Sequence, residues 1–151
     1  MKHTYYKSTT SSSPLSAAVK ARETLYLSGQ LGISPETGKI VSHDAGEQTV
    51  QVLKNMEDVL TQAGYSFEDV VKTMIFVADR GDMPAVNNAY SSVWGEDKPA
   101  RSAVQVVFPN PAVKVEIAVI SFSTRLETRP RGTNNSLLME FPLQPAQHNN
   151  D

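Results

Sequence analysis

Hydrophobic residues recur at spacings of three and four along the first half of the chain. Between about Gly46 and Ala63 they form one mostly apolar stripe, made of Thr49, Val52, Leu53, Met56, Val59, Leu60 and Ala63. This period predicts an amphipathic helix. Gly64 follows where a left-handed C-terminal cap is expected, and Ser66 with Asp69 predicts a short capped turn.

A second helix is predicted over Met83–Trp94. Asp82 is a suitable N-cap for it, and Pro84 fits its first turn. The stripe of this helix consists of Met83, Val86, Asn87, Tyr90, Val93 and Trp94. Asn87 is the polar residue within that stripe. A buried amide needs hydrogen bonds, so Asn87 is either a strut to the backbone or part of a pocket wall.

Runs rich in β-forming residues predict the strands. They are Ala21–Gly29, Val71–Ala78, Ala100–Phe108 and Val113–Phe122, with a short additional strand at Lys39–Val41. The predicted order is ββαβαββ, with room for one more strand near the start. This order indicates an α+β fold in which two helices cover one face of a mixed sheet.

The central predicted strand is apolar on both faces. Val71, Thr73, Ile75 and Val77 alternate with Met74, Phe76 and Ala78. The helices can cover only one face of the sheet, and an apolar face open to water is an association surface. We therefore expect a homo-oligomer with closed symmetry.

A carboxylate interrupts the last predicted strand. Glu116 lies in the run Val113–Ile120, whose other residues are apolar except Lys114. Burying the charge of Glu116 without a partner costs several kcal/mol or forces the group to protonate. The alternative is a glutamate on a solvated or edge face of the sheet.

A cation lies near this carboxylate in the sequence. Arg101 begins the preceding strand, which Pro109-Asn110-Pro111 would join to the last one in a hairpin. If Arg101 pairs opposite Ala118, Glu116 is a diagonal neighbour on the same face. If Arg101 pairs opposite Val119, the two side chains point to opposite faces. The sequence leaves both registers open, as well as an ordinary surface position for the arginine.

Ser28 and Gly29 form a weaker candidate. They stand at the end of the first predicted strand. A glycine at a strand end allows a ligand or another chain to approach the backbone closely. By itself this pair indicates little.

Composition narrows the classes of function. The 151 residues fit one domain, the net charge is -2, and the pI is about 5.9, which does not favour nucleic acid as a partner. The chain has no cysteine, and its three histidines (His3, His43 and His148) are far apart, so we expect no metal site. Motifs for nucleotide and phosphoryl chemistry are missing.

Hydropathy indicates the expected location. No apolar stretch approaches the roughly 18 residues that a membrane span requires. The first 14 residues lack the apolar core of a secretory signal. We therefore expect a cytoplasmic protein, and organellar targeting stays open.

Several of these segments resemble one known family. In order and spacing they are Leu25–Gln30, Gln48–Met56, Asp69–Thr73, Val86–Tyr90, Pro99–Ser102 and Val115–Ile117. Together they resemble the pattern of the Rid/YjgF family, whose members include proteins labelled endoribonuclease L-PSP. The likeness covers about residues 13–123, so we assign 1–124 to a Rid/YjgF-like domain and 125–151 to an extension outside the pattern.

The resemblance implies a fold, an assembly and an activity. The fold would be chorismate-mutase-like, and the second sheet face would be buried in a homotrimer with a ligand cleft at each subunit interface. The activity would be hydrolytic deamination of reactive 2-imino or 2-enamino acids to 2-keto acids and ammonia, without a cofactor. The partners would be small 2-imino or 2-keto acids, with no membrane.

The resemblance also assigns roles to residues. Arg101 would bind the substrate carboxylate, since a planar guanidinium suits a bidentate contact. Glu116 would orient or activate the attacking water, a task that favours a carboxyl group with a raised pKa. Ser28, Gly29 and Asn87 would line the cleft.

Two positions depart from the family pattern. Leu15 stands where the family often places an aromatic hydroxyl in the pocket, and Ala103 stands where it often has cysteine. With Leu15 the pocket would be more apolar and would favour bulkier imines, or the protein would only bind keto acids as a trimeric regulator. A third reading is an endoribonuclease or translation inhibitor, against which the acidic pI and the lack of a cleft histidine argue.

Overall fold

The structure, a computed structural model, describes residues 2–8 and 11–125. Its sheet contains strands β1 Thr4–Lys7, β2 Ser16–Ala21, β3 Thr24–Leu31, β4 Val70–Val77, β5 Ala100–Gln105 and β6 Val115–Phe122. Its helices are α1 Ala45–Gln62 and α2 Met83–Tyr90, with 3₁₀ turns at Phe67–Asp69, Arg80–Asp82 and Ser91–Val93. The predicted extension lies outside the described residues from 126 onward.

The α+β architecture is confirmed. The six strands form one mixed sheet in the order β1-β2-β3-β6-β4-β5. Helix α1 packs against β3, β6 and α2, so both helices lie on the same face. The largest buried side chains between the helices and the sheet are Leu25, Met56, Leu60, Ile75 and Ile117. Their burial supplies the main stabilising free energy of the fold.

Helix α1 and its ends agree with the sequence pattern. The carboxylate of Asp44 caps the helix by accepting a 2.8 Å hydrogen bond from the Glu47 amide. Gly64 has φ of +80°, which is the left-handed conformation expected after the helix. In the following turn, the Ser66 amide donates to Asp69 Oδ2 at 2.8 Å, so the predicted capped turn is confirmed.

Helix α2 is shorter than predicted. It ends at Tyr90, and the chain continues as a 3₁₀ turn. Asp82 makes no capping hydrogen bond with its side chain. Asp79 instead accepts a 2.7 Å hydrogen bond from the Gly81 amide and caps the 3₁₀ turn before the helix. Asp82 nevertheless occupies the predicted N-cap position, and the helix begins at Met83 as predicted.

The N-terminal strands differ most from the prediction. The prediction left room for one more strand near the start, and the structure has two, β1 and β2. The predicted first strand contains the turn of the β2–β3 hairpin, where Arg22 has φ of +56°. The predicted strand at Lys39–Val41 is reduced to an isolated bridge between Ile33 and Ile40. With β1 and β2 included, the order in the described residues is βββαβαββ.

The predicted hairpin between the last two strands is wrong. Strand β5 pairs only with β4, in parallel, and β6 lies between β3 and β4 and is antiparallel to both. The unit β4–α2–β5 is a strand–helix–strand crossover, which places its two strands side by side in parallel. Arg101 and Glu116 therefore belong to strands that β4 separates.

A buried amide connects two loops of this fold, the one before α1 and the one before β6. The side chain of Gln48 is fully buried. Its Nε2 donates to the carbonyl oxygens of Ser42 and Ala112, both at 2.8 Å. Its Oε1 accepts from the Lys114 amide at 2.8 Å. Both amide hydrogens and the amide oxygen of Gln48 are thus hydrogen-bonded.

We expect Gln48→Leu to lower the free energy of unfolding by about 2–4 kcal/mol, because it leaves an amide and two carbonyls buried without partners. Urea denaturation followed by circular dichroism measures this loss. Gln62→Leu, at an exposed position of the same helix, is the control and should change stability by less than about 0.5 kcal/mol. Equal stabilities for the two variants would show that Gln48 does not fasten the loops.

Candidate active site

Strand β3 carries a bulge at the predicted Ser28–Gly29 pair. Leu27 pairs with Val119 and Gln30 pairs with Ile117, so two residues of β3 lie opposite a single residue of β6. Such a bulge bends a strand and redirects its side chains, and bulges are frequent beside active sites. The Ser28 hydroxyl donates a 2.6 Å hydrogen bond to the Ser16 carbonyl, which ties the bulge to β2.

The carboxyl group of Glu116 lies directly over Gly29. A Cβ atom placed on Gly29 would be 1.8 Å from Glu116 Oε1 and 2.6 Å from Cδ. Only glycine leaves room for this close approach. Glu116 is half-buried, and this burial raises the pKa of its carboxyl group above the ordinary value. Glu116 thus lies half-buried on the sheet face that the helices do not cover.

A cavity of about 870 Å³ adjoins this carboxyl group. Four of the six predicted site residues line it: Leu15, Ser28, Gly29 and Glu116. Leu15 is 48% exposed, so its side chain presents an apolar surface there. The volume is within the range of small-molecule sites.

Arg101 and Asn87, the other two predicted residues, lie together elsewhere. Arg101 Nη1 donates a 2.7 Å hydrogen bond to Asn87 Oδ1. The guanidinium carbon is 5.2 Å from the centre of the Tyr90 ring, over its face. Both Arg101 and Asn87 are exposed. Asn87 is thus neither buried nor a backbone strut, because it lies at the edge of the apolar stripe and its amide oxygen holds the arginine.

Two residues behind Arg101 were not predicted. The hydroxyls of Tyr90 and Thr73 are 2.8 Å apart, and both residues are buried. Burial raises the pKa of Tyr90, and the hydrogen bond to Thr73 and the charge of Arg101 oppose that shift. A tyrosine in an apolar stripe needs a partner for its hydroxyl, which is the signal that could have indicated this pair.

Arg101 and Glu116 point to opposite faces of the sheet. Thr73 pairs with Arg101 on one side and with Val119 on the other, so these three residues share one face. Glu116 is three positions from Val119, and side chains alternate along a strand. Neither of the two hairpin registers that the sequence left open is present, because β5 does not pair with β6, although the side chains lie on opposite faces as in the second register. Within one chain the two groups do not face the same cavity.

Within residues 2–8 and 11–125, no group of three or more histidine, aspartate or glutamate side chains is arranged to hold a metal ion. In the same part of the chain, no helix is long and apolar enough to cross a membrane.

Comparisons with known proteins agree on one family. A family model described as endoribonuclease L-PSP matches residues 6–122. The chain is 44% identical over 108 residues to the chloroplastic Reactive Intermediate Deaminase A of Arabidopsis thaliana, covering 72% of this chain and 58% of the relative. It is 38% identical over 115 residues to the human 2-iminobutanoate/2-iminopropanoate deaminase, covering 76% and 84%.

A solved structure supports the same assignment. The chain superposes on E. coli TdcF with bound serine with a TM-score of 0.74 and 28% identity, covering 80% of this chain and 99% of that one. Fold and sequence thus agree over nearly all of the described residues. The chain belongs to the Rid/YjgF family, whose family model carries the description endoribonuclease L-PSP.

Proposed function

We propose that this protein hydrolyses reactive 2-imino and 2-enamino acids to 2-keto acids and ammonia without a cofactor. The observation that carries this proposal is the half-buried carboxyl group of Glu116, held over Gly29 beside a cavity. Relatives at 38–44% identity are named deaminases of this kind. We place the activity in the cytoplasm, with an organelle as the alternative because the Arabidopsis relative is described as chloroplastic.

We infer that Arg101 and Glu116 meet across a subunit boundary in a homotrimer. They lie on opposite faces of one sheet, so a single crevice can contain both only if they come from two protomers. The face that carries Glu116 also exposes Tyr26, Met74 and Phe122, each more than a third accessible. Apolar side chains exposed together on an uncovered sheet face favour association.

The proposed reaction needs two functions from these residues. Arg101 binds the α-carboxylate of the substrate with two parallel hydrogen bonds. Glu116 takes a proton from water as the water oxygen bonds to C2 of the imine, and the nitrogen receives that proton as the C=N electron pair moves onto it, which gives a carbinolamine. Glu116 then takes the remaining proton of the C2 hydroxyl and passes it to the nitrogen as the C–N bond breaks and the C=O bond forms. The products are the 2-keto acid and ammonia. The serine bound to TdcF is a small amino acid with the same type of carboxylate.

Release of ammonia tests this proposal. An amino acid oxidase acting on 2-aminobutyrate supplies the imine, and we expect the protein to accelerate ammonia formation over the uncatalysed rate. Arg101→Ala should lose most of this acceleration, because it removes the carboxylate contact. If wild type gave only the uncatalysed rate, the deaminase proposal would be wrong, and if Arg101→Ala accelerated the reaction as much as wild type, the proposed role of Arg101 would be wrong.

A second candidate function is non-catalytic binding of small keto acids by the same trimer. Leu15 favours it, because this exposed side chain brings no hydroxyl to the cavity that Glu116 lines. Isothermal titration with 2-ketobutyrate distinguishes the two functions. Binding without any turnover of the imine would favour the regulator.

A further inference from the structure

We propose that Tyr90 and Thr73 are positioning residues, which hold the guanidinium of Arg101 ready for a substrate carboxylate. This inference rests on the proposed role of Arg101. Arg101 is exposed, and an exposed arginine ordinarily samples many rotamers. Here its head group has two fixed neighbours, the Asn87 amide oxygen at 2.7 Å and the Tyr90 ring at 5.2 Å.

The Tyr90 ring can serve as a platform because it is itself held from several directions. Its hydroxyl is 2.8 Å from that of Thr73, which is completely buried on β4. Its ring centre is 5.3 Å from that of Trp94, which in turn packs edge-on against Phe67 at 5.3 Å. These contacts fix the ring, and the ring face attracts the cation.

The contacts also restrict which part of the guanidinium is free. Asn87 accepts a hydrogen bond from Nη1, and the Tyr90 ring covers one face of the group. A guanidinium has five N–H donors in one plane, so donors in that plane stay available for a planar, bidentate carboxylate. Because the head group is already oriented, binding would cost less conformational entropy.

Binding of 2-ketobutyrate, measured by titration calorimetry, tests the positioning role. Tyr90→Leu removes the ring face, and we expect it to raise the dissociation constant roughly 3- to 30-fold. Tyr90→Phe keeps the ring but loses its hydrogen bond to Thr73, so we expect a smaller loss of affinity, about two- to threefold. In the Arg101→Ala background, Tyr90→Leu should have no further effect, because the platform then has nothing to hold.

Tyr65→Leu is the matched control. Tyr65 is also a buried tyrosine, its hydroxyl donates to the Glu23 carbonyl, and its ring lies 5.6 Å from Lys20 Nζ. Losing this ring should lower thermal stability without changing keto acid affinity. A merely structural role of Tyr90 would make the two Leu variants behave alike.

The outcomes separate this inference from the proposed function. If Arg101→Ala binds the keto acid as tightly as wild type, the proposed role of Arg101 fails. If Arg101→Ala weakens binding but Tyr90→Leu does not, only the positioning role is overturned. The same holds if Tyr90→Leu weakens binding as much in the Arg101→Ala background as it does in wild type. If Tyr90→Leu does not fold, Thr73→Val replaces it, with a measurably weaker affinity expected and an unchanged one contradicting the inference.

Discussion

Glu116→Gln is expected to lower kcat for imine hydrolysis roughly 10²- to 10⁴-fold, the usual contribution of a positioned general base. Glutamine fills the same space beside Gly29 but cannot take a proton from water. Affinity for 2-ketobutyrate should change little, since Arg101 binds the carboxylate. Steady-state ammonia release and calorimetry measure the two effects. A variant with wild-type kcat would show that Glu116 is not the base.

The same variant has a pH signature. Burial raises the pKa of Glu116 in the folded protein above its value in the unfolded chain. Ionised Glu116 therefore destabilises the fold at high pH. This destabilisation disappears as the pH falls below the pKa of the unfolded chain, because the carboxyl group is then protonated in both states. Glu116→Gln should therefore be more stable than wild type at about pH 8 and equally stable at about pH 4. Wild-type activity should decline as pH falls through the raised pKa, where the carboxylate becomes protonated.

Gly29→Ala is expected to lower kcat/KM for imine hydrolysis by about 100-fold, with a stability change below about 1 kcal/mol. The added Cβ would lie 1.8 Å from Glu116 Oε1, so the carboxyl group must leave its position. The same Cβ would also lie 2.6 Å from Cδ and 2.7 Å from Cγ, so the side chain of Glu116 must adopt another rotamer. Glu116 is a half-buried, flexible side chain, so we expect the fold to tolerate the change while the reaction does not. Ammonia release together with thermal unfolding measures both quantities.

Gly95→Ala provides the matched control, because a Cβ there would meet nothing within 4 Å. It should retain wild-type kcat/KM. A double-mutant cycle sharpens the interpretation: in the Glu116→Ala background, Gly29→Ala should cost almost nothing further, since the displaced carboxyl group is already gone. A full 100-fold loss in that background would mean that Gly29 acts through something other than Glu116.

The fold could be predicted wherever the signal is local. The period of three and four in α1, the left-handed Gly64 and the capped turn at Ser66 all depend on residues close in sequence. The pairing partner of a strand, in contrast, depends on residues far away in the sequence. The two prolines at positions 109 and 111 suggested a hairpin, yet β5 pairs with β4, because a strand–helix–strand crossover brings parallel strands together.

In the candidate site, too, local signals could be predicted from the sequence and long-range contacts could not. A charge within an apolar run identified Glu116, and a glycine at a strand end identified Gly29, but their contact depends on a bulge that the sequence does not reveal. Arg101 and Glu116 were considered as partners within one hairpin, and the register places them on opposite faces. The sequence places Tyr90 in the apolar stripe of the second helix. Its contact with Arg101 depends on the fold, which brings the Tyr90 ring against the guanidinium.

The central claim is that one crevice combines Arg101 of one protomer with Glu116 of its neighbour. Co-expression of Arg101→Ala and Glu116→Gln chains with two different affinity tags, followed by tandem purification, yields mixed trimers whose ammonia release can be measured. If the site spans two protomers, each mixed trimer has one intact site out of three, so about a third of the wild-type sites are restored and activity should rise far above that of either variant alone. If both residues acted within one chain, no site in any mixed trimer would be intact, and activity no higher than that of the separate variants would contradict the account.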